Sequence, residues 1–408
     1  MRILIYGINY SPELTGIGKY TGEMATWMAK QGNDVSVITA MPYYPEWEIH
    51  PQYKNKWWHK EVIDGVKIYR CPFYVPQKVN SKKRIIHEFS FLWSSSFRWV
   101  AALFRKKYDL IITINPPFHI GILPCIYSIF KKTTLITHIQ DLQIDAAKDL
   151  NMLSEGKALN IMFKIEKFLL KRSNYISTLT SGMQNRVEKK EISSDKILML
   201  PNWVDIDFIK PLSKNESLRK QFGLSDDDIV ILYSGNMGKK QGLEILIDIA
   251  KEYKNNSKIR FIMVGSGAEK ENLQKMVADC QLTNMEFHPL QPYNQLSALL
   301  ATADLHLVLQ KKEASDLVMP SKLTGILAAG GCPIVTAMPG TSLYEVINEY
   351  NMGILCEPES YTALKEAIDK ALTKDLSIIK TNARKYAENH LDKDKILSRF
   401  LENIKIEN

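Results

Sequence analysis

The stretch YSGNMGKKQGLEIL, residues 233–246, places three glycines and two adjacent lysines between an apolar run and an apolar helical pattern. Glycine lets the backbone approach a ligand closely, and the N–H groups at the start of a helix favour a bound anion. We therefore predict that Asn236, Lys239, Lys240 and Gly242 form a cradle for a diphosphate. The alternative is an ordinary turn between a strand and a helix. A Walker A loop is excluded, because G-x-x-x-x-G-K-[ST] is absent.

A second glycine turn, in GINYSPELTGIGKYTGEM, follows the first apolar run of the chain. Gly16 and Gly18 precede a helical pattern and are a second candidate for contact with a phosphate, although a purely structural turn fits the same residues. Thr21 occupies the place of the last glycine of G-x-G-x-x-G, which disfavours a dinucleotide site.

The stretch LVMPSKLTGILAAGG contains a third candidate, at the start of a predicted helix. Pro320 is well placed as a first helical residue, so Ser321 and Lys322 would stand at a helix N-terminus. Lys322 is expected to contact phosphate or ribose, and the alternative is a solvated lysine.

His138 and Asp141, in LITHIQDLQID, come at the end of another apolar run. Side chains there could polarise a sugar hydroxyl or transfer a proton, or they could form a satisfied structural pair. No H-x-H, HExxH or G-x-S-x-G pattern indicates a metal ion or a serine nucleophile.

Short apolar runs alternate with longer amphipathic segments along the whole chain, which predicts parallel sheets covered by helices. We expect an α/β protein with two doubly wound, Rossmann-like domains facing each other across a cleft. The predicted domains are residues 1–210 and 211–385, with a final helix over 386–408 that could pack on the first domain. The polar stretch 205–228 is the predicted linker. The predicted strands are Ile3–Tyr6, Val35–Thr39, Ile68–Arg70, Leu110–Ile114, Thr134–His138, Tyr175–Thr178, Ile197–Leu200, Val230–Tyr233, Arg260–Val264, Met285–Phe287, Leu305–Leu309, Pro333–Thr336 and Gly353–Cys356.

The 408 residues are 45% hydrophobic and 24% charged, with a net charge of +8. Such a charge suits an anionic ligand or membrane as well as an ordinary solvated surface, and no nucleic-acid recognition module accompanies it. Five widely spaced cysteines argue against a disulfide framework and favour a reducing cytosol. The stretch Leu110–Phe130 has the length of a membrane span, but its three prolines favour a strand, a loop and a short helix.

Six motifs together resemble the retaining GT-B nucleotide-sugar glycosyltransferases over essentially the whole chain. They are PELTGIGKY, HIQD, PNWVD, YSGNMGKKQGLEIL, VGSGAEKENL and PSKLTGILAAGG. The chain looks most similar to the bacterial fucosyl- and N-acetylfucosaminyl-type transferases of colanic-acid and O-antigen assembly. The resemblance implies transfer of a sugar from a nucleoside diphosphate to an acceptor hydroxyl, with retained configuration and without a metal or other cofactor. UDP-linked L-FucNAc is the first choice of donor, and GDP-L-fucose is the second.

The resemblance also implies roles for the donor-side residues. Gly16 and Gly18 would approach the donor phosphate, and Lys240 would neutralise the departing diphosphate. Asn236 stands where the family usually has an arginine, so Lys239 or Lys322 would supply the missing cation.

Two glutamates that are usual in the family are also missing, since Leu317 and Gly325 occupy their positions. Glu313 and Asp316 lie nearby, and Asp316 is preferred because it adjoins the motif. The donor site would be completed by Ser321, Leu323 and His288, with base contacts from the backbone near Phe287–Leu290. The acceptor side would include Tyr10, Glu13 and Thr15.

The implied acceptor is a polyprenyl-diphosphate-linked saccharide. Aromatic and basic residues alternate in YKNKWWHK, residues 53–60, and in residues 89–108. We expect Trp57, Trp58 and Lys60 to face an anionic bilayer, with the protein held peripherally on the cytoplasmic face of the plasma membrane. A core or loop-plugging role for the tryptophans is the alternative. Other functions that fit the sequence are a UDP-sugar epimerase and a two-lobed sugar- or nucleotide-binding protein.

Overall fold

The computed structural model describes residues 1–13, 16–149, 156–312 and 320–406. The chain divides into two compact units. The first unit comprises Met1–Pro201 together with Leu397–Asn408, and the second comprises Asn202–Ile396.

The first unit is built on an eight-stranded sheet in the order β3-β4-β2-β1-β5-β6-β7-β8. All neighbouring pairs are parallel except β3 with β4, which is an antiparallel edge pair. The order reverses between β1 and β5, so the loops after these two strands lie at the point where doubly wound sheets bind ligands. The strands are β1 Arg2–Tyr6, β2 Asp34–Ala40, β3 His59–Ile63, β4 Val66–Cys71, β5 Leu110–Asn115, β6 Thr134–Ile139, β7 Tyr175–Thr178 and β8 Ile197–Met199.

The helices of the first unit connect these strands. They are α1 Gly16–Lys30, α2 Ser81–Leu103, α3 Ile122–Lys131, α4 Gln143–Asp149, α5 Lys157–Arg172 and α6 Ser181–Glu188. The stretch that has the length of a membrane span is β5, a short 3-10 turn and α3, as the prolines predict. Within the described residues, no helix is both long and apolar enough to cross a bilayer.

The second unit contains a six-stranded, fully parallel sheet in the order β11-β10-β9-β12-β13-β14. Here the order reverses between β9 and β12. The strands are β9 Ile229–Asn236, β10 Ile259–Ser266, β11 Met285–His288, β12 Leu305–Val308, β13 Pro333–Thr336 and β14 Ile354–Cys356. The helices are α7 Ile245–Glu252, α8 Lys270–Asp279, α9 Leu296–Ala301, α10 Ser321–Ala328, α11 Ser342–Glu349, α12 Tyr361–Thr373 and α13 Ser377–Tyr386, and α14 Lys393–Glu402 begins in this unit and ends in the first.

The predicted α/β class is therefore confirmed, with two doubly wound sheets. The central strands are buried on both faces, which explains why they are continuous apolar runs in the sequence.

The unit boundaries differ from the predicted ones, because residues 202–210 are bound into the second unit. The N–H of Val204 donates to the carbonyl of Leu391, and Arg384 donates to the carbonyls of Ile206 and Ile209. The predicted linker over 205–228 is likewise packed: Leu218 and Phe222 belong to the core against β9 and β10.

Candidate functional site

The carboxyl ends of β9 and β12, where the strand order of the second sheet reverses, hold the lysine-rich turn. Strand β9 ends at Asn236, and a 3-10 turn over Lys239–Gln241 follows before α7. Gly242 has a φ of 60°, in the left-handed region that favours glycine. The chain therefore reverses sharply just beyond the strand end, where a doubly wound sheet binds its ligands.

The glycines at the end of β10 support this turn from the neighbouring strand. A Cβ on Gly265 would lie 2.0 Å from the carbonyl oxygen of Gly235, and one on Gly267 would lie 2.3 Å from that of Met237. The N–H of Met237 also donates to the carbonyl of Ser266 over 2.8 Å. Gly265 and Gly267 are therefore required by packing against β9, and ligand contact is not needed to explain them.

Three lysines surround the turn. Lys239 and Lys240 are exposed. Lys311, which follows β12, donates its N–H to the carbonyl of Lys240 over 2.9 Å, and its side chain would lie 3.4 Å from a Cβ on Gly242. Sequence reasoning missed Lys311, whose only signal is its place after an apolar strand.

Lys322, at the start of α10, is the fourth lysine at this strand end. Its Nζ is buried and has no hydrogen-bond partner among the described residues. The ammonium lies 3.8 Å from the centroid of the Tyr233 ring, and it would be 3.3 Å from a Cβ on Gly235. Burial lowers the pKa of Lys322 to about 7. The tyrosine hydroxyl donates to the carbonyl of Asn236 over 2.6 Å, which links this contact to the turn.

The other predicted donor residues near α10 are Ser321, Leu323 and the acidic candidates Glu313 and Asp316. Ser321 is exposed at the helix start. Leu323 is fully buried in the core and its N–H donates to the carbonyl of Pro320, so its side chain packs inside the unit, and its donor contact stays a prediction. Glu313 and Asp316 lie outside the described residues.

His288 ends β11 at the edge of the same sheet. Its ring stacks on Phe222 with centroids 4.0 Å apart, and its Nε2 is 3.5 Å from an oxygen of Glu286. Its contact with a donor stays a prediction.

In the first unit, the loop after β1 is organised around the carboxylate of Glu13. Glu13 is buried and accepts hydrogen bonds from the Asn9 side chain at 2.9 Å and from the N–H groups of Tyr43 and Tyr44 at 3.3 and 3.2 Å. Burial is the main cause that raises the pKa of Glu13, to about 7. The neighbouring Tyr10 is also buried. Both residues therefore shape the loop, and their contact with an acceptor stays a prediction.

The two glycines of this loop have separate reasons to be glycine. A Cβ on Gly18 would lie 2.5 Å from an oxygen of Glu13, so packing alone requires a glycine here, and its contact with a phosphate stays a prediction. Gly16 has a φ of 58° with nothing within 4 Å of its Cβ position, so its surroundings leave room for a ligand. Thr15 lies outside the described residues.

His138 is fully buried on β6, and both ring nitrogens have partners: Ser177 at 2.9 Å and the amide of Gln140 at 2.8 Å. Burial lowers its pKa to about 4. These contacts favour a structural role for His138, with partners other than those of the predicted His–Asp pair, and its catalytic role stays a prediction. Asp141 is exposed beyond the strand end, and its role stays a prediction.

A buried polar cluster near the carboxyl end of β5 escaped the sequence analysis. Glu88 of α2 accepts from Arg84 and from the amide of Gln143, and burial raises its pKa. His119 stacks on Phe89 with centroids 4.4 Å apart, and its Nε2 has no hydrogen-bond partner within the described chain. These residues carry no motif, since they come together only through the fold.

The predicted membrane-facing residues lie in and just before β3. Trp57 and Trp58 are 73% and 42% exposed, and Lys60 is exposed. With Phe73, Trp93 and other residues, the two tryptophans line a cavity of about 560 Å³. The predicted alternative of a buried core role is therefore wrong for both tryptophans. Within the described ranges, no three His, Cys, Asp or Glu side chains converge as metal ligands do.

Comparisons with known proteins agree with this architecture. Residues 15–203 match the family model described as glycosyl transferase 4-like domain, and residues 214–390 match glycosyl transferases group 1. A putative colanic acid biosynthesis glycosyl transferase, WcaI of Escherichia coli strain K12, is 40% identical and covers 99% of this chain and 100% of its own.

Solved structures show the same fold at low identity. A sucrose-phosphate synthase from Thermosynechococcus elongatus has a TM-score of 0.75 at 15% identity and covers 98% of this chain and 97% of its own. Anabaena HepE in complex with UDP and glucose has a TM-score of 0.71 at 16% identity, with 98% of each chain covered. The chain belongs to the group 1 glycosyltransferase family and has the GT-B fold.

Proposed function

We propose that the protein transfers a deoxy-sugar, first L-FucNAc from UDP and second L-fucose from GDP, to a lipid-diphosphate-linked sugar such as GlcNAc. The product would be part of a bacterial surface polysaccharide, as the name of the E. coli relative suggests for that protein. The observation that carries the donor assignment is the group of four lysines around one glycine turn, at the ligand-binding end of the second sheet. UDP lies in the complexes of HepE, which supports a nucleoside diphosphate donor.

The chemistry that this site supports is displacement of a diphosphate. The bond between the anomeric carbon and the β-phosphate oxygen breaks, and the acceptor oxygen forms its bond on the same face of the sugar. The acceptor proton passes to the departing phosphate oxygen, so no strong protein base is needed. Negative charge grows on the diphosphate, and fixed lysines and N–H groups stabilise it most where water is excluded. Transfer with retention and without a metal ion is part of this proposal.

Donor and acceptor dependence tests the function directly. The purified protein is incubated with UDP-, GDP- and dTDP-sugars, with and without a diphosphate-linked N-acetylglucosamine lipid. We expect donor consumption only when the acceptor is present. Conversion of the sugar without an acceptor would instead show an epimerase, and binding without turnover would show a binding protein.

Lys240, one of the two exposed lysines of the turn, provides a second test. Lys240→Ala is expected to lower turnover by about 10²-fold, because one cation that stabilises the leaving group is lost. Lys254→Ala, on the exposed segment after α7, is the matched control and should leave turnover unchanged. Turnover of the Lys240 variant within a few-fold of wild type would contradict the assignment.

We also propose that the first unit binds the cytoplasmic face of the plasma membrane, and helix α2 carries this part of the proposal. Its exposed face carries many large apolar residues, whereas its buried face combines Phe91, Trp99 and Ala102 with polar residues such as His87 and Glu88. An exposed apolar surface of this kind is typical of a contact with a membrane or another protein. The exposed apolar residues of α2 are Ile85, Ile86, Phe89, Trp93, Phe97 and Val100.

Helices α3 and α5 extend this face, since α3 packs against both α2 and α5. The carboxylates of α2 and α5 are Glu88 and Glu166, both buried, and α3 has none. The exposed side of the three helices therefore presents apolar and cationic groups, which suits an anionic bilayer. The exposed apolar residues of α3 and α5 are Ile126, Ile129, Phe130, Ile161, Ile165 and Phe168, and the exposed cations of α2 and α5 include Lys82, Arg84, Lys164, Lys171 and Arg172.

Salt dependence tests the membrane contact. Washing isolated membranes with concentrated salt is expected to release the protein, because ionic screening weakens the attraction of the lysines and arginines. Retention until detergent is added would show that apolar insertion dominates. Full recovery in the soluble fraction at low salt would contradict membrane binding.

A further inference from the structure

Lys322 is a buried cation without a counter-charge in the part of the chain that the structure describes. Its Nζ has less than 1 Å² of exposed surface and no hydrogen-bond partner there. Removing an ammonium from water costs several kcal/mol unless charges or hydrogen bonds replace the lost hydration. A cation–π contact with Tyr233 replaces about 2 kcal/mol of this at most. The described residues therefore leave this ammonium without a counter-charge.

Lys322 lies next to the turn that is predicted to bind the diphosphate. Its Cε and Nζ would both lie 3.3 Å from a Cβ on Gly235, so that glycine lets the ammonium approach the backbone of the turn. Asn236, the next residue, is exposed and carries no charge. A dianionic ligand held by this turn would therefore find a buried cation beneath Gly235 and none at Asn236.

Among the described residues, few other titratable groups lie on the elements around Lys322. They are the phenol of Tyr233 on β9, the buried imidazole of His306 on β12, the ammonium groups of Lys239 and Lys240 in the turn after β9, and that of Lys311 after β12. Burial alone lowers the pKa of Lys322 to about 7, so at neutral pH the side chain exchanges readily between its two protonation states.

We propose that Lys322 provides a buried cation beneath the donor diphosphate, at Gly235, and takes up a proton when the nucleotide binds. This inference rests on the proposed function and deepens it. The bound diphosphate supplies the counter-charge that the buried site lacks. Binding draws a proton from solution onto Nζ, and the resulting ammonium remains in place to stabilise the diphosphate as it departs.

Calorimetry with UDP and with GDP tests the proposal without any need for turnover. Titrations at about pH 8, in buffers that differ in ionisation enthalpy, give the number of protons taken up, which we expect to be about one per nucleotide. Lys322→Met keeps the length and loses the charge. It should weaken binding by about 10²-fold and abolish the proton uptake. Lys240→Met is the matched control, which should weaken binding but keep the uptake.

A second variant distinguishes the loss of the Lys322 charge from damage to the fold as the cause of weaker binding. Asn236→Arg places a permanent cation on the exposed residue that follows Gly235. Combined with Lys322→Met, it should recover about ten-fold in affinity without restoring proton uptake, because arginine stays protonated. Thermal melting checks that each variant is folded.

Two outcomes would overturn the inference. In the first, Lys322→Met binds UDP or GDP within three-fold of wild type and still takes up the proton. This result would show that Lys322 is not part of the site, and it would leave the proposed function unchanged. Wild-type protein that binds neither nucleotide would contradict the proposed function and this inference together.

Discussion

Glu13 and Lys322 occupy corresponding places in the two units, each beside the point where the order of its sheet reverses. Burial moves both pKa values to about 7, upwards for the carboxyl group and downwards for the ammonium. Glu13 nevertheless has three hydrogen-bond donors, whereas Lys322 has no hydrogen-bond partner among the described residues.

The difference separates a structural ionisable group from one that is arranged for a ligand. A buried charge that the protein itself satisfies holds its own loop in shape, and nothing further has to bind. A buried charge left without a partner costs stability, and such a cost is typical of a site that acts on another molecule. Burial and a shifted pKa alone would not tell the two apart.

Removing the carboxylate of Glu13 should have the largest effect on stability. Glu13→Ala leaves the N–H groups of Tyr43 and Tyr44 and the amide of Asn9 without their acceptor, which should cost about 3 kcal/mol of unfolding free energy. Urea denaturation measures the loss. Glu13→Gln, which keeps an acceptor oxygen, is the control and should lose less than about 1 kcal/mol near neutral pH. An alanine variant as stable as wild type would show that the loop does not depend on this carboxylate.

The loop that contains Glu13 also contains two glycines with different surroundings, Gly16 and Gly18. Gly18→Ala should cost about 2 kcal/mol, because its Cβ would overlap the Glu13 side chain. Gly16→Ala should cost about 1 kcal/mol through its left-handed backbone alone, and its larger effect should be on donor binding. Equal losses of stability, with equal effects on UDP affinity, would contradict the separate roles.

Lys322→Met should change stability by less than Glu13→Ala does, and in the opposite direction. The pKa of the lysine falls from 10.5 to about 7 on folding, so the wild-type chain loses stability as the pH falls from 10.5 to 7. The methionine variant should therefore be more stable than wild type by about 1–2 kcal/mol at neutral pH, with the gain shrinking towards pH 10. Urea denaturation across this range measures it. A variant that is less stable than wild type at every pH would show that Lys322 holds the fold together.

Most of the fold follows from the sequence, because parallel strands covered on both faces must be apolar throughout. Strand β3 was missed, since His59–Ile63 is an antiparallel edge strand with polar and exposed residues. The linker was misjudged for a related reason. Leu218 and Phe222 are four residues apart and form a single helical turn against the second sheet, which is too short to show as a periodic pattern in this polar stretch.

The candidate site was predictable in its residue types but not in its environment. Sequence identifies Lys322 as a lysine at a helix start, yet its burial depends on Tyr233 and Gly235, almost ninety residues earlier. The same limit explains His138, whose strand-end position suggested chemistry. Its burial and its contacts with Ser177 and Gln140 arise only when β6 pairs with β7.

The close stacking of Gly265 and Gly267 on the backbone of Gly235 and Met237 has a consequence for affinity. The turn after β9 is tied to its neighbour before any nucleotide arrives, so little conformational entropy is left to lose when the diphosphate binds. Substitutions that loosen the β10 turn should thus weaken nucleotide binding without touching the nucleotide.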